Sequence, residues 1–329
     1  TYFNWLIVSK RLRRYSVRAN NSITLPDFFS NRFREKKKVI MSLSAVFILV
    51  FFTVYASSCF VTCGKLFSTL FGTSYISMMI LGAVFVLIYT ILGGFLAESA
   101  SDLMQAIVMF VALGAIVIVG IVNAGGLGAV VANAKSIPGF FEFFGIANPA
   151  LNEAGEQIVE AGAPVFAEAS KYGVLRICSM LAWGLGYFGM PQVLLRFMAI
   201  RKEEELKASR RIAMIWVVIS LAVAVFIGIV GRQIFPTELL TKSSAESIFI
   251  TLSTSFMPPL LAGFVMAGIL AATISSSDSY LLISASAFAK NIYKDVAKKN
   301  ATDKQVMTMT RITLLVIAII AVIIALDED

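Results

Sequence analysis

Histidine is absent from the 329 residues, cysteine occurs three times, and only 15% of positions carry a charged side chain. Without histidine there can be no Ser-His-Asp arrangement, no imidazole metal ligand and no ordinary acid/base partner near neutral pH. Cys59 and Cys63 share a helix face at i, i+4 spacing, but two thiols make no zinc site. With Cys178 they lie in apolar stretches and read as buried free thiols. No glycine-rich loop of the kind that cradles phosphate is present, and no repeat recurs at a period of about 20 to 50 residues. These absences argue against an enzyme and leave no place for a resident cofactor.

What is abundant is apolar surface, at 58% of residues. A hydrocarbon core about 30 Å thick is crossed by about 20 helical residues. Stretches 39–62, 75–97, 102–123, 174–195, 212–231 and 258–282 meet that length, and 306–326 meets it if Arg311 snorkels to the interface. The expected class is therefore an all-α integral membrane protein with seven crossings.

The cations set the topology. Ten Lys and Arg fall in 1–38, six in 196–211 and six in 290–311, whereas the opposite loops are cation-poor and the longest of them is acidic. Basic short loops stay cytoplasmic, so the amino end is expected inside. The resulting plan has the end of a truncated span plus a basic cytoplasmic loop at 1–38, three transmembrane helices in 39–123, and an external loop with short helical pieces at 124–173. Four helices follow in 174–326, with cytoplasmic loops 197–211 and 290–310 and an external loop 233–257, and residues 327–329 are external and truncated. The opening Thr-Tyr-Phe-Asn-Trp-Leu-Ile-Val reads as the last turns of a severed helix. The cell (inner) membrane is the expected location. The net charge of +8 is split among three loops, which suits anionic lipid headgroups and not nucleic acid.

Three phrases carry chemistry. Ser275-Ser-Ser-Asp278-Ser279 sets five oxygen-bearing side chains in a row at membrane depth, where polar groups are retained to line a cavity or hold an ion. Serines at these positions also back-bond to carbonyls one turn earlier, which is the plainer reading. In Gly93-Gly-Phe-Leu-Ala-Glu-Ser-Ala-Ser-Asp102, Ser99 or Ser101 can cap a helix whose first turn gains from the Asp102 carboxylate; alternatively, Asp102 faces a cation path. In Trp183-Gly-Leu-Gly-Tyr187-Phe-Gly-Met-Pro191-Gln192, three glycines and a proline should bend or unwind the span. Trp183 and Tyr187, one turn apart, then either wall a small substrate or pack a kinked helix.

Together, "TLPDFF", "GGFLAESASD", "WGLGYFGMPQ", "RFMAI" and "ILAATISSSDSYLL", in this order and spacing, resemble the sodium:solute symporter family, and within it the sodium/proline symporters. The resemblance covers almost the whole chain. It implies a LeuT-type inverted-repeat transporter fold, present only as a fragment that starts at the end of one span and stops in a later one. It implies Na+ as coupling ion on the Ala272 carbonyl and the Ser275 and Ser276 hydroxyls, and a cation path at Asp102 and Asp278. A proline pocket is implied at Tyr55, Trp183, Tyr187 and Pro191. Sodium-coupled uptake of L-proline is the implied activity, with sodium, the solute and membrane lipids as partners. Met190 and Gln192 depart from the pattern around the pocket proline, which keeps another amino acid or organic solute open. A symporter-like sensor module of a signalling protein is the rival from another class, and a sodium channel is the third.

Overall fold

A backbone inside hydrocarbon must satisfy its own N–H and C=O groups, so long apolar stretches fold as helices. The computed structural model describes residues 1–327. Among them, six helices are long and apolar enough to cross a membrane: Val39–Phe71, Tyr75–Leu96, Glu98–Asn123, Glu205–Ile234, Pro259–Ala297 and Asp303–Ile324. A bent pair, Val174–Gly189 and Pro191–Ala199, meets at 40° and makes a seventh if counted as one span. Burial within the protein accounts for little of this apolar surface. It covers 6% of the most apolar window of Glu205–Ile234 and at most 39%, in Pro259–Ala297. Such outward apolar faces suit acyl chains and would be a liability in water.

Several helices run past the limits read from hydropathy. The first spans 33 residues, from Val39 to Phe71, and the one expected to end at 282 continues to Ala297 through π-helical turns from Ala287. The connection expected at 290–310 therefore shrinks to 298–302, and that at 197–211 to 200–204. Among the described residues no capping bond of the kind expected from Ser99 or Ser101 is present. The break before that helix falls at Gly94 (φ 60°, ψ −168°), a conformation essentially reserved for glycine, and the span already begins at Glu98. Ser101 Oγ instead donates back to the Glu98 carbonyl at 2.9 Å, so Asp102 lies one turn inside the helix.

The chain packs as two units. The first comprises Thr1–Ala106, Gly184–Met214 and the residues from Leu270 onward. Its core joins Ala56 and Phe60, Ala83, Leu281 and Ala285, and Ala318; the four alanines let the helices approach closely, and Phe60 and Leu281 fill the space between them. A Cβ at Gly64 would lie 2.6 Å from the Tyr75 ring, and the Tyr75 hydroxyl in turn donates to the Ala325 carbonyl at 2.8 Å. The "TLPDFF" phrase is a helix start: Thr24 Oγ1 accepts from the Asp27 N–H at 3.2 Å and donates to the buried Asn291 side chain at 3.0 Å. Lys290 pairs with Asp27 at 2.8 Å. On the exposed face, Arg14 donates to Glu203 at 2.6 Å, and that hydrogen bond holds the Glu203 carboxyl below its ordinary range.

The second unit comprises Ile107–Trp183 and Ile215–Ile269. Its insertion was expected to hold short helical pieces. One is present, Leu127–Ser136, and the remainder holds short strands joined by turns. Gly145–Pro149 pairs antiparallel with Phe166–Lys171, and Val159–Glu160 with Ala163–Pro164 across a turn whose central residues, Ala161 (φ 50°) and Gly162 (φ 79°), both have the positive φ of a type I′ hairpin. Arg232 reaches the insertion, donating to Gln157 at 3.2 Å.

The thiol reading needs correction. Cys63 is buried, Cys59 is partly exposed and Cys178 is exposed. The helix carrying Cys178, Val174–Gly186, has no buried residue. Of the acidic terminus, Asp327 is exposed, and Glu328 and Asp329 lie outside the described residues.

Candidate ion-binding site

The serine run divides by helix geometry. Ser277, Asp278 and Ser279 are buried in the first unit, while Ser275 and Ser276 are only partly so and Ala272 is exposed. Side chains at i+3 and i+4 lie over the carbonyl at i. Ser275 Oγ accordingly donates to the Ala272 carbonyl at 3.1 Å, and Ser276 Oγ to the same oxygen at 3.0 Å. These are helical back-bonds. They also gather three uncharged oxygens on one face, a donor set suited to a hard monovalent cation. Among the described residues no three His, Cys, Asp or Glu are grouped to hold a metal, and the serine trio uses none of those types.

On the buried side, Asp278 is 0% exposed and accepts from the Ser279 N–H at 2.6 Å. Ser279 Oγ donates to Glu98 at 2.5 Å. Arg196 Nη2 closes the cluster, 2.5 Å from Asp102 Oδ2, 3.4 Å from Glu98 Oε1 and 3.3 Å from Ser279 Oγ. Tyr89 and Ser101 join hydroxyls beside it. Two carboxylates, Glu98 and Asp102, thus share one guanidinium, and Asp278 joins them through Ser279. Oε2 of Glu98 and Oδ2 of Asp278 have no hydrogen-bond partner among the described residues. Such a site favours cations, because buried negative charge is costly unless opposed.

Asp102 and Asp278 therefore belong to one cluster, linked through Arg196, Glu98 and Ser279. Glu98 and Arg196 were not among the expected site residues, and Ser279 was singled out only as a member of the polar run, with no role of its own. The available signal was Glu98 itself, an acid in an apolar stretch that requires a partner.

The expected solute residues do not all fall in one unit. Tyr55 is 45% exposed and tilts against Tyr280 at 5.2 Å, with Phe52 edge-on to Tyr280 at 5.1 Å. Tyr280 is a further aromatic residue that the sequence reading passed over. Tyr187 and Pro191 stand at the break of the bent span in the first unit, Tyr187 opening a 3-10 turn and Pro191 starting the next helix. Trp183 belongs to the second unit and is 87% exposed. Its helix ends at Gly186, so the one-turn spacing to Tyr187 does not persist as helix.

The sequence model of the sodium:solute symporter family matches residues 1–329. The osmoregulated proline transporter OpuE of Bacillus subtilis (strain 168) is 38% identical over 328 residues, 100% of this chain and 62% of that protein. The high-affinity proline transporter PutP of the same organism is 37% identical over 327 residues, 99% of this chain and 64% of that protein. A sodium/proline symporter of Staphylococcus aureus is 36% identical over 331 residues, 100% of this chain and 60% of that protein. The chain thus spans less than two thirds of the length of these relatives. A solved structure of a Na+-coupled sialic acid symporter, substrate-bound and outward-open, superposes with a TM-score of 0.70 at 16% identity, over 99% of this chain and 71% of that one. At that identity the likeness concerns the fold, a LeuT-type inverted-repeat transporter fold. With apolar helices, a full-length family match and these relatives in agreement, the chain is a multi-pass membrane protein belonging to the sodium:solute symporter family.

Proposed function

We propose that this chain is part of a secondary active transporter in which sodium moving down its gradient carries a small organic solute, foremost L-proline, into the cell. The observation that carries the reading is the convergence of the Ser275 and Ser276 hydroxyls on the Ala272 carbonyl, three neutral oxygens within a membrane helix. Neutral oxygens can replace part of a sodium ion's water shell and still release it, which a carrier must do every cycle. Asp102 and Asp278 form the cation path in this reading, with Glu98 and Arg196 setting the local charge. Tyr55, Tyr187 and Pro191, all in the first unit, line the solute pocket in this reading. The relatives named for proline transport support proline as the solute. No covalent chemistry is asked of the chain, and Na+ is cargo, not cofactor. The protein sits in the cell membrane among lipids, with the amino end of this chain cytoplasmic and residues 124–173 outside, a placement that the cation-rich loops support.

The test is uptake of labelled proline by vesicles containing the full-length protein. An inward sodium gradient should drive transient accumulation above equilibrium, and equimolar potassium should not. Equal uptake in both conditions would end the sodium-coupled reading. Sodium-driven uptake of another amino acid, without competition by proline, would end the assignment of solute alone.

A further inference from the structure

Pro191 leaves a gap in the hydrogen-bond ladder of the bent span. In an α-helix the N–H of residue i+4 donates to the carbonyl of residue i. For Tyr187 that donor would be residue 191, a proline with no N–H. A proline also drives the residue before it out of the helical region, and Met190 sits at φ −64°, ψ 111°. The chain tightens into a 3-10 turn over Tyr187–Gly189 and restarts as helix at Pro191.

Asn4 fills the gap from a distant part of the sequence. It is 0% exposed, and its Nδ2 donates to the Tyr187 carbonyl at 2.8 Å. Only the NH2 end of the amide can donate to a carbonyl, so the chemistry fixes which way the side chain points. Its neighbours hold the same helix further along. Trp5 packs edge-on against Phe197 at 4.6 Å, and Arg13 donates to the Met198 carbonyl at 2.8 Å. Residues 4–13 therefore brace the break and the helix that follows it.

We propose that Asn4 is a positioning residue whose amide stands in for the N–H that Pro191 lacks, fixing the backbone of the broken turn and with it the direction of the Tyr187 ring. For transport this rests on the reading that Tyr187 lines the solute pocket. A turn left open at membrane depth would wander among conformations. A turn pinned by one side chain keeps its shape and still lacks the stiffness of continuous helix.

Two measurements on the full-length protein in vesicles test this, each in a cycle of Asn4→Ala with Pro191→Ala. Asn4→Ala alone should raise the KM for labelled proline about tenfold, the scale of one lost buried hydrogen bond, with the half-saturating sodium concentration little changed. It should also speed amide hydrogen exchange in the peptide covering 187–197 and leave exchange elsewhere alone. Restoring an N–H at 191 makes the Asn4 amide redundant, so adding Asn4→Ala to Pro191→Ala should change neither measurement further. Equal effects of Asn4→Ala in both backgrounds, or none in either, would overturn the proposal. If Asn4→Ala fails to accumulate, recovery of abundance by Pro191→Ala supports it, and failure in both backgrounds refutes it. The exchange measurement needs no transport, so it judges Asn4 even if sodium-driven proline uptake proves absent.

Discussion

Arg196→Gln is expected to cut sodium-driven uptake per molecule by at least about tenfold and to lower the amount of folded protein. Among the described residues, the guanidinium is the one cation bonded to the cluster in which Glu98 is 4% exposed and the Asp102 side chain 13%. Breaking a fully buried pair from one side costs about 3 to 5 kcal/mol, because the abandoned charge stays buried. Arg196 is itself 44% exposed, so water screens part of its field and about 1 to 3 kcal/mol is the better figure. The loss should be selective. Removing the more buried of the two opposing charges as well, in the pair Glu98→Gln with Arg196→Gln, should restore part of the lost abundance, since the neutral amide that replaces the Glu98 carboxylate can still accept from Ser279 while Asp102 is left without the guanidinium. Quantified membrane levels and initial uptake rates decide it. An Arg196→Gln protein as abundant and as active as its parent would show that the cluster does not depend on this cation.

Ser275→Ala and Ser276→Ala should each raise the sodium concentration needed for half-maximal uptake by roughly 10- to 100-fold, the range expected when one of a few oxygen ligands to a charged species is lost at about 1.5 to 3 kcal/mol. Abundance should scarcely move. Among the described residues each hydroxyl bonds only to a carbonyl of its own helix, on a face that is partly exposed, so the fold loses little when either is removed. Ser276→Thr keeps the oxygen and should keep most of the sodium response. Unchanged sodium activation in both alanine variants would remove the ion from this helix face and return the serines to ordinary back-bonding.

The contrast between these two sites explains what the sequence could convey. The Ala272, Ser275 and Ser276 oxygens are related by local helix geometry, so spacing alone places them together. The Glu98–Arg196 contact joins residues from two segments almost a hundred positions apart, and nothing in either segment names the other. Arg196 follows an apolar run, as loop cations do, and reads as one of them until the packing shows it turned toward Asp102. The long spans were legible because length and apolarity suffice to identify them. The strands at Gly145–Pro149 and Phe166–Lys171 were not, since Gly-Ile-Ala-Asn-Pro carries neither alternation nor a run of β-branched residues. The break beside Trp183 was legible, since three glycines and a proline in a short stretch predict a bent or unwound span, and the helix carrying Trp183 ends at Gly186.

The Pro259–Ala297 helix is 39 residues long, which bears on how the ion would sense the membrane field. On the proposed topology Pro259 lies at the outer surface, and Ala272 then sits about 20 Å further along the axis at about 1.5 Å per residue. That is roughly two thirds of a hydrocarbon core about 30 Å thick. A cation arriving from outside would fall through a similar share of the electrical drop, about 1.5 of the 2.3 kcal/mol available per 100 mV. Polarising the vesicle interior negative should therefore load the site at about tenfold lower sodium for each 100 mV imposed. Sodium affinity indifferent to imposed voltage would place these oxygens at the end of a wide aqueous vestibule.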